Sequence, residues 1–221
     1  MTKKTRKTHK MRKVLLTVCC AALLVCVTIG ATVAYLTSTD TVVNTFTVGN
    51  VQITLDEAKV DTEGKPVDPA QRVDNNTYKL LPGHTYTQDP TVTVKAGIEK
   101  SYVKMTVTFT KAKELDAIFA RNGANMTSIF NGYDSTNWIY KGNTEDTGAN
   151  TRTYEFWYKE TVAAPTADVA LDALFDSITV PSTITNTQLA TIKDMTITVN
   201  AYAIQADGFQ DATAAWDAYP A

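Results

Sequence analysis

The sequence predicts a mainly β protein: an antiparallel two-sheet sandwich, jelly-roll-like, with one or two short helices in its connections. Three observations predict it. Apolar and polar residues alternate with a period of two in several short windows. Turn residues separate those windows, as at Leu81-Pro82-Gly83, where Pro presets φ and Gly accepts the positive φ after it. Helical spacing of apolar residues occurs in only two places.

The elements follow in chain order. Residues 42–48 and Val51-Gln52-Ile53-Thr54-Leu55 read as the first strands, and Thr91-Val92-Thr93-Val94 as another. Residues 101–110 alternate cleanly, with Val103, Met105, Val107 and Phe109 on one face and Tyr102, Lys104, Thr106 and Thr108 on the other. That is the pattern of a half-buried strand. Leu115, Ile118 and Phe119 are spaced i, i+3, i+4, which predicts a helix over 111–121, stopped by Asn122-Gly123. Strands follow at 136–141, 153–160 and 175–180. In the 153–160 strand Tyr154, Phe156 and Tyr158 oppose Glu155, Trp157 and Lys159. A strand over 194–204 turns Met195, Ile197, Val199, Ala201 and Ala203 inward. Ala212, Ala215, Trp216 and Tyr219 form a second helical stripe, capped by Asp211. The polar stretch 56–76 reads as a surface loop.

The N-terminus is an address. Residues 1–13 hold seven basic side chains and no acid, and an uncharged apolar run extends from Val14 to about Ala34. This is the layout of a secretory signal, and Thr32-Val33-Ala34 places small residues before a cut between Ala34 and Tyr35. The run is also long enough for a retained membrane anchor. Cleavage is preferred because the small-residue site sits where the apolar run ends. Lipidation at Cys26 is a third fate, opposed by Val25 where a small residue is wanted. The expected organisation is 1–34 signal, 35–48 N-terminal segment and 49–221 sandwich domain, with membrane contact only through the signal before cleavage.

Removal of 34 residues leaves 187, enough for one domain with a sizeable core. The chain carries −2 overall and +7 in the signal, so the mature part carries −9. That acidity argues against nucleic acid and anionic membranes as partners. All three cysteines (Cys19, Cys20, Cys26) lie in the signal, so the exported part has no disulfide and relies on its core.

Chemistry is sparse, and neither an enzyme nor a cofactor is expected. His84 is the single histidine after the signal, beside a Pro-Gly turn, with no ligand partners at metal spacing. There is no Gly-x-Ser-x-Gly elbow and no phosphate-cradling glycine loop. Asp56, Glu57, Asp61 and Glu63 have the oxygen chemistry calcium takes, but a solvated loop explains them better. Trp138, Tyr140, Tyr154, Trp157 and Tyr158 would form a sugar-stacking platform if several shared one exposed face; packing within and between strands is the plainer reading.

Several stretches carry a resemblance. Gly30-Ala31-Thr32-Val33-Ala34-Tyr35-Leu36-Thr37-Ser38-Thr39-Asp40, then Val43-Asn44-Thr45-Phe46-Thr47-Val48-Gly49-Asn50-Val51, resembles the start of the TasA/camelysin family of exported proteins of Gram-positive bacteria. Leu81-Pro82-Gly83, Phe156-Trp157-Tyr158-Lys159, Leu174-Phe175-Asp176-Ser177-Ile178 and the run from Ala201 through Phe209 look similar to it as well. Leu36 stands where the family usually has Phe, and Val94-Lys95-Ala96-Gly97 where an Asn-x-Gly turn is common. The resemblance implies a jelly-roll subunit of a biofilm-matrix or cell-surface fibre, freed by a SipW-type signal peptidase and secreted to the extracellular matrix or cell surface. It implies assembly by donor-strand exchange, in which Thr41, Val42, Val43, Asn44, Thr45, Phe46, Thr47 and Val48 of one copy enter the next. Its partners would be further copies of itself, the peptidase and a minor or anchor subunit. Two alternatives stand beside this one: a monomeric glycan-binding or accessory module of the cell surface, and a camelysin-like metalloprotease, for which the usual zinc ligands are missing.

Overall fold

The computed structural model describes residues 51–119, 130–164 and 166–220, which belong to a unit running Val48–Ala221. The cleavage site between Ala34 and Tyr35, the expected strand at 42–48 and the segment from Thr41 to Val48 lie outside the described residues. In chain order the strands are β1 (Ile53–Ala58), β2 (Arg72–Val73), β3 (Thr85–Thr87), β4 (Thr91–Val94), β5 (Ile98–Thr110), β6 (Phe130–Asn131), β7 (Trp138–Asp146), β8 (Thr151–Tyr158), β9 (Val162–Ala164), β10 (Val169–Ala170), β11 (Ser177–Thr179) and β12 (Ile197–Gln205). The helices are α1 (Ala112–Phe119), α2 (Asn186–Thr191) and α3 (Ala212–Asp217).

The protein is a mainly β sandwich of antiparallel sheets. One layer has the order β12-β5-β8-β7, with β9 paired to the start of β5. The other layer consists of β10-β4-β1-β2 and β3-β11-β6. β5 is the spine: Val107 pairs with Val199 on one side and Tyr154 on the other. Its alternation matches its burial, since Val103, Met105 and Val107 are fully enclosed. A one-residue slip would turn this whole set to solvent, so the pattern fixes the register. Phe130 of β6 ties the layers together. Its ring centroid lies 5.7 Å from Phe109 and from Tyr154, 6.0 Å from Phe156 and 4.4 Å from Phe175.

The helices are set by their caps. The first turn of α1 is held by Asn150 of the β7–β8 turn, whose backbone carbonyl accepts from Ala112 N (3.1 Å) and whose Oδ1 accepts from Lys113 N (3.0 Å). Leu115 then enters the core. The expected stop at Asn122-Gly123 is outside the described residues. α3 begins on Asp211, which accepts from Ala214 N at 2.9 Å, as the sequence predicts. α2 is a third helix, beyond the one or two expected. Thr185 and Gln188 close a capping box around its start.

Among the described residues one guanidinium is buried. Arg152 is on the inward-facing side of β8 with its side chain 3% exposed. It makes a two-pronged pair with Asp116 of α1 and reaches Glu145 of β7 at 2.7 Å. The bonds to Asp116, against the opposing effect of burial, hold its pKa above the ordinary arginine value. The clasp fastens α1 to the β7–β8 hairpin.

The stretch 56–76 is more organised than a surface loop. It contains the end of β1 and all of β2, and its backbone is bonded at several points, including Thr87 N to Gly64 O at 3.0 Å. Gly64 has φ +82°, and a Cβ there would lie 2.6 Å from the Cα of Tyr86. Only glycine allows this approach of the loop to β3.

Candidate strand-accepting groove

The candidate site lies at two strand edges. β12 is the outermost strand of its layer: residues 197–205 pair with β5 on one side, and among the described residues no strand pairs with the other. β1 pairs with β4 through 53–56 and meets β2 only at Glu57 and Ala58. The second edge of 53–56 therefore has no strand partner among the described residues. The two edges face the same flank of the sandwich, where β1 and β12 approach each other.

Between them lies a groove of about 1010 Å³. Leu55, Ile197 and Val199 form its walls, and Tyr78, Leu80, Leu189, Ile192 and Met195 line the rest of its apolar surface. The walls are half-buried although their side chains point inward. One end is closed by β2. Arg72 donates from Nε to Asp56 (2.8 Å) and from Nη1 to Asp89 (2.5 Å), and also to the carbonyls of both residues. Burial opposes the charge on Arg72, but the two carboxylates outweigh it and raise its pKa.

A linked polar group sits inside. Asn76 donates to Glu57 Oε1 and to Ala58 O at 2.9 Å each, and accepts from Val60 N at 3.0 Å. Burial pushes the Glu57 carboxyl above its ordinary value, Asn76 pulls it down, and Asp89 adds to the rise. Tyr78 is pushed up too, first by burial and then by the Glu57 charge. The arrangement offers backbone donors and acceptors on two strand edges, an apolar slot between them and one polar cluster. An extended peptide can use all three: main-chain bonds give affinity and alternate side-chain pockets give register.

The other candidates of the sequence are dispersed. Asp56 is held by Arg72, Glu57 by Asn76, Glu63 pairs with Lys65 at 3.6 Å, and Asp61 accepts the backbone N–H groups of Glu63 and Lys65. Among the described residues no three metal-ligating side chains gather. His84 stands in the Leu81-Pro82-Gly83 turn with its ring 6.3 Å from that of Tyr86. The aromatics do not share one exposed face. Trp138, Tyr154 and Phe156 are core residues, and Trp138 donates its indole N–H to Asp172 O at 3.0 Å. Trp157 lies on the opposite, outer face, under Lys141 (4.2 Å from Nζ to ring) and beside Trp216 of α3.

Fold and groove together define a class: a mainly β sandwich of antiparallel sheets with an apolar groove between two strand edges that have no strand partner among the described residues. Compared with known proteins, the chain matches no family model, no curated protein and no solved structure. Sequence reading missed the contribution of α2 to the groove, although Thr185-x-x-Gln188 followed by Leu189 and Ile192 spells a capped helical turn with an apolar side.

Proposed function

We propose that the protein is a secreted structural subunit of a biofilm-matrix or cell-surface fibre. After the signal is cut between Ala34 and Tyr35, the segment from Thr41 to Val48 of one copy inserts as a strand into the groove of the next. One observation carries the reading: two strand edges, of β1 and β12, without a strand partner among the described residues, flank an apolar groove of the sandwich. An open apolar edge of this kind is ordinarily blunted or covered. Here the covering strand is supplied by another copy, so the chain is complete only in the assembly. The resemblance of 30–51 to exported fibre proteins supports the same reading. Tethering of the segment to the membrane before cleavage would delay assembly until export.

The test is electron microscopy of residues 35–221, beginning at Tyr35 with nothing added, at rising concentration. Regular fibres are expected, and deletion of 35–48 should abolish them while leaving a folded domain. Fibres of unchanged length after that deletion would sink the proposal. A persistent monomer would move the reading to a monomeric accessory module.

A further inference from the structure

Beneath the groove opens a smaller recess of about 50 Å³, bounded by Tyr86, Phe109, Leu115 and Val180. Leu80, Ile192, Met195 and Ile197 line both spaces, so their junction is an apolar patch at the floor of the groove. Beside it stands Gln88, a buried amide that shares the groove lining with Glu57, and Glu57 accepts from Asn76.

We propose that Phe46 of the incoming segment is the anchor side chain of the groove, seated at this junction, with Asn44 beside it meeting Glu57, Asn76 and Gln88. The inference rests on the strand-accepting reading and names the residues that set its register. A strand divides the segment into two faces: Val42, Asn44, Phe46 and Val48 on one, Thr41, Val43, Thr45 and Thr47 on the other. The first face holds the segment's one aromatic ring and two valines. The second holds three threonines, which suit a solvated strand face. The first is thus the face that turns into an apolar slot. It brings one polar side chain with it, and a buried amide needs partners. The groove provides an acid and two amides for Asn44. Side chains two apart on a strand are about 7 Å from each other, so ring and amide occupy neighbouring positions. The recess alone does not hold a phenyl ring, since a cavity that takes benzene is about 150 Å³. The ring therefore rests at the junction with its edge in the recess, and Met195 can adjust its unbranched side chain around it.

The chain from residue 35 on has no cysteine, so engineered pairs report cleanly. Copies of 35–221 carrying Phe46→Cys are mixed with copies carrying Met195→Cys and oxidised. A disulfide between the two kinds of copy is expected, at least about tenfold more abundant than with Thr45→Cys, because alternate residues face opposite ways. Phe46→Ala should raise the concentration needed for fibres about 30-fold or more, as loss of a central aromatic anchor does, with Thr45→Ala nearly neutral. Cross-links favouring Thr45 over Phe46, or equal effects of the two alanine variants, overturn the anchor while strand insertion stands. Absence of inter-copy cross-links from every position from 41 to 48 overturns strand insertion, and the anchor with it.

Discussion

Val107 and Val199 are the same residue type, directly paired across the β5–β12 ladder and pointing into the same interior, yet Val107 is wholly buried and Val199 only half. Ile53 and Val94 repeat the contrast across the β1–β4 ladder. The difference lies in whether a further strand follows. Central strands have neighbours on both sides, whereas among the described residues β12 has none beyond it and β1 meets only the two-residue β2 at Glu57 and Ala58. At the far edge of the β12 sheet, Trp138 of β7 is buried under Tyr158, at 5.0 Å between ring centroids, and donates its indole N–H to Asp172 O. The half-buried members of the two pairs, Val199 and Ile53, stand on β12 and β1, the strands that border the groove.

If the sealed interior carries the stability of the fold, Phe130→Ala should have the largest effect. Its ring touches four others across both layers, and a truncation of this kind costs about 4 kcal/mol. Urea unfolding should show the loss as a lower midpoint at unchanged slope. A cost under about 1 kcal/mol would mean that the two layers do not meet at Phe130.

The Arg152 clasp comes next. Arg152→Ala removes the guanidinium that pairs with both Asp116 and Glu145. Because both carboxylates are partly exposed, at 26% and 35% of their side chains, the cost falls toward the lower end for a broken buried pair, about 3 kcal/mol. The urea midpoint again measures it. Raising the salt concentration should recover only a fraction of the loss, since a guanidinium 3% exposed is little screened.

The sharpest test is the matched pair. Val107→Ala should cost about 2 kcal/mol, and Val199→Ala, with the same atoms removed from a half-buried site, about half that or less in the monomer. Assembly should invert the order, with Val199→Ala acting on fibre formation beyond its effect on folding. Equal costs in the monomer would mean that the seam is closed before assembly.

This contrast also shows what was legible in the sequence. The alternation of Val103, Met105, Val107 and Phe109 gave β5 its buried face, and Asp211 gave α3 its start. Periodicity reports which way a side chain points but not which strand lies beside it. Val199 carried the same signal as Val107, and only the strand order separates them. The groove joins Leu55, Tyr78 and Ile197, residues far apart in the chain, so no local pattern could reveal it. The short strands β2, β3, β6, β9 and β10 have two or three residues each, too few to show a period. The polar stretch 56–76 looked like a solvated loop because composition registers polarity alone. In the fold its Asn76, Arg72 and Asp61 side chains bond backbone and other side chains, and that bonding gives the stretch its order.

The smallest effect is at Glu57, the acid inside the groove. Its pKa is raised in the folded state, chiefly by burial, above the value it has in an unfolded chain. Between the unfolded and folded pKa values the folded form therefore holds more protons, and stability falls as pH rises through that window. Above the folded pKa the ionised carboxylate is a continuing cost; below the unfolded pKa the fold has the full benefit of the proton. Glu57→Gln keeps an oxygen to accept from Asn76 and removes the charge. It should raise the melting temperature at pH 7 and flatten the dependence on pH in the acid range, measured by thermal unfolding of both proteins at a series of pH values. Asp168, exposed and held by Lys95 at 2.9 Å, is shifted the opposite way and serves as the control. Asp168→Asn should not reproduce the gain at pH 7. If Glu57→Gln lowers the melting temperature at neutral pH, the carboxylate is a bonded structural group and the groove is more polar, and a poorer seat for an apolar strand, than its walls imply.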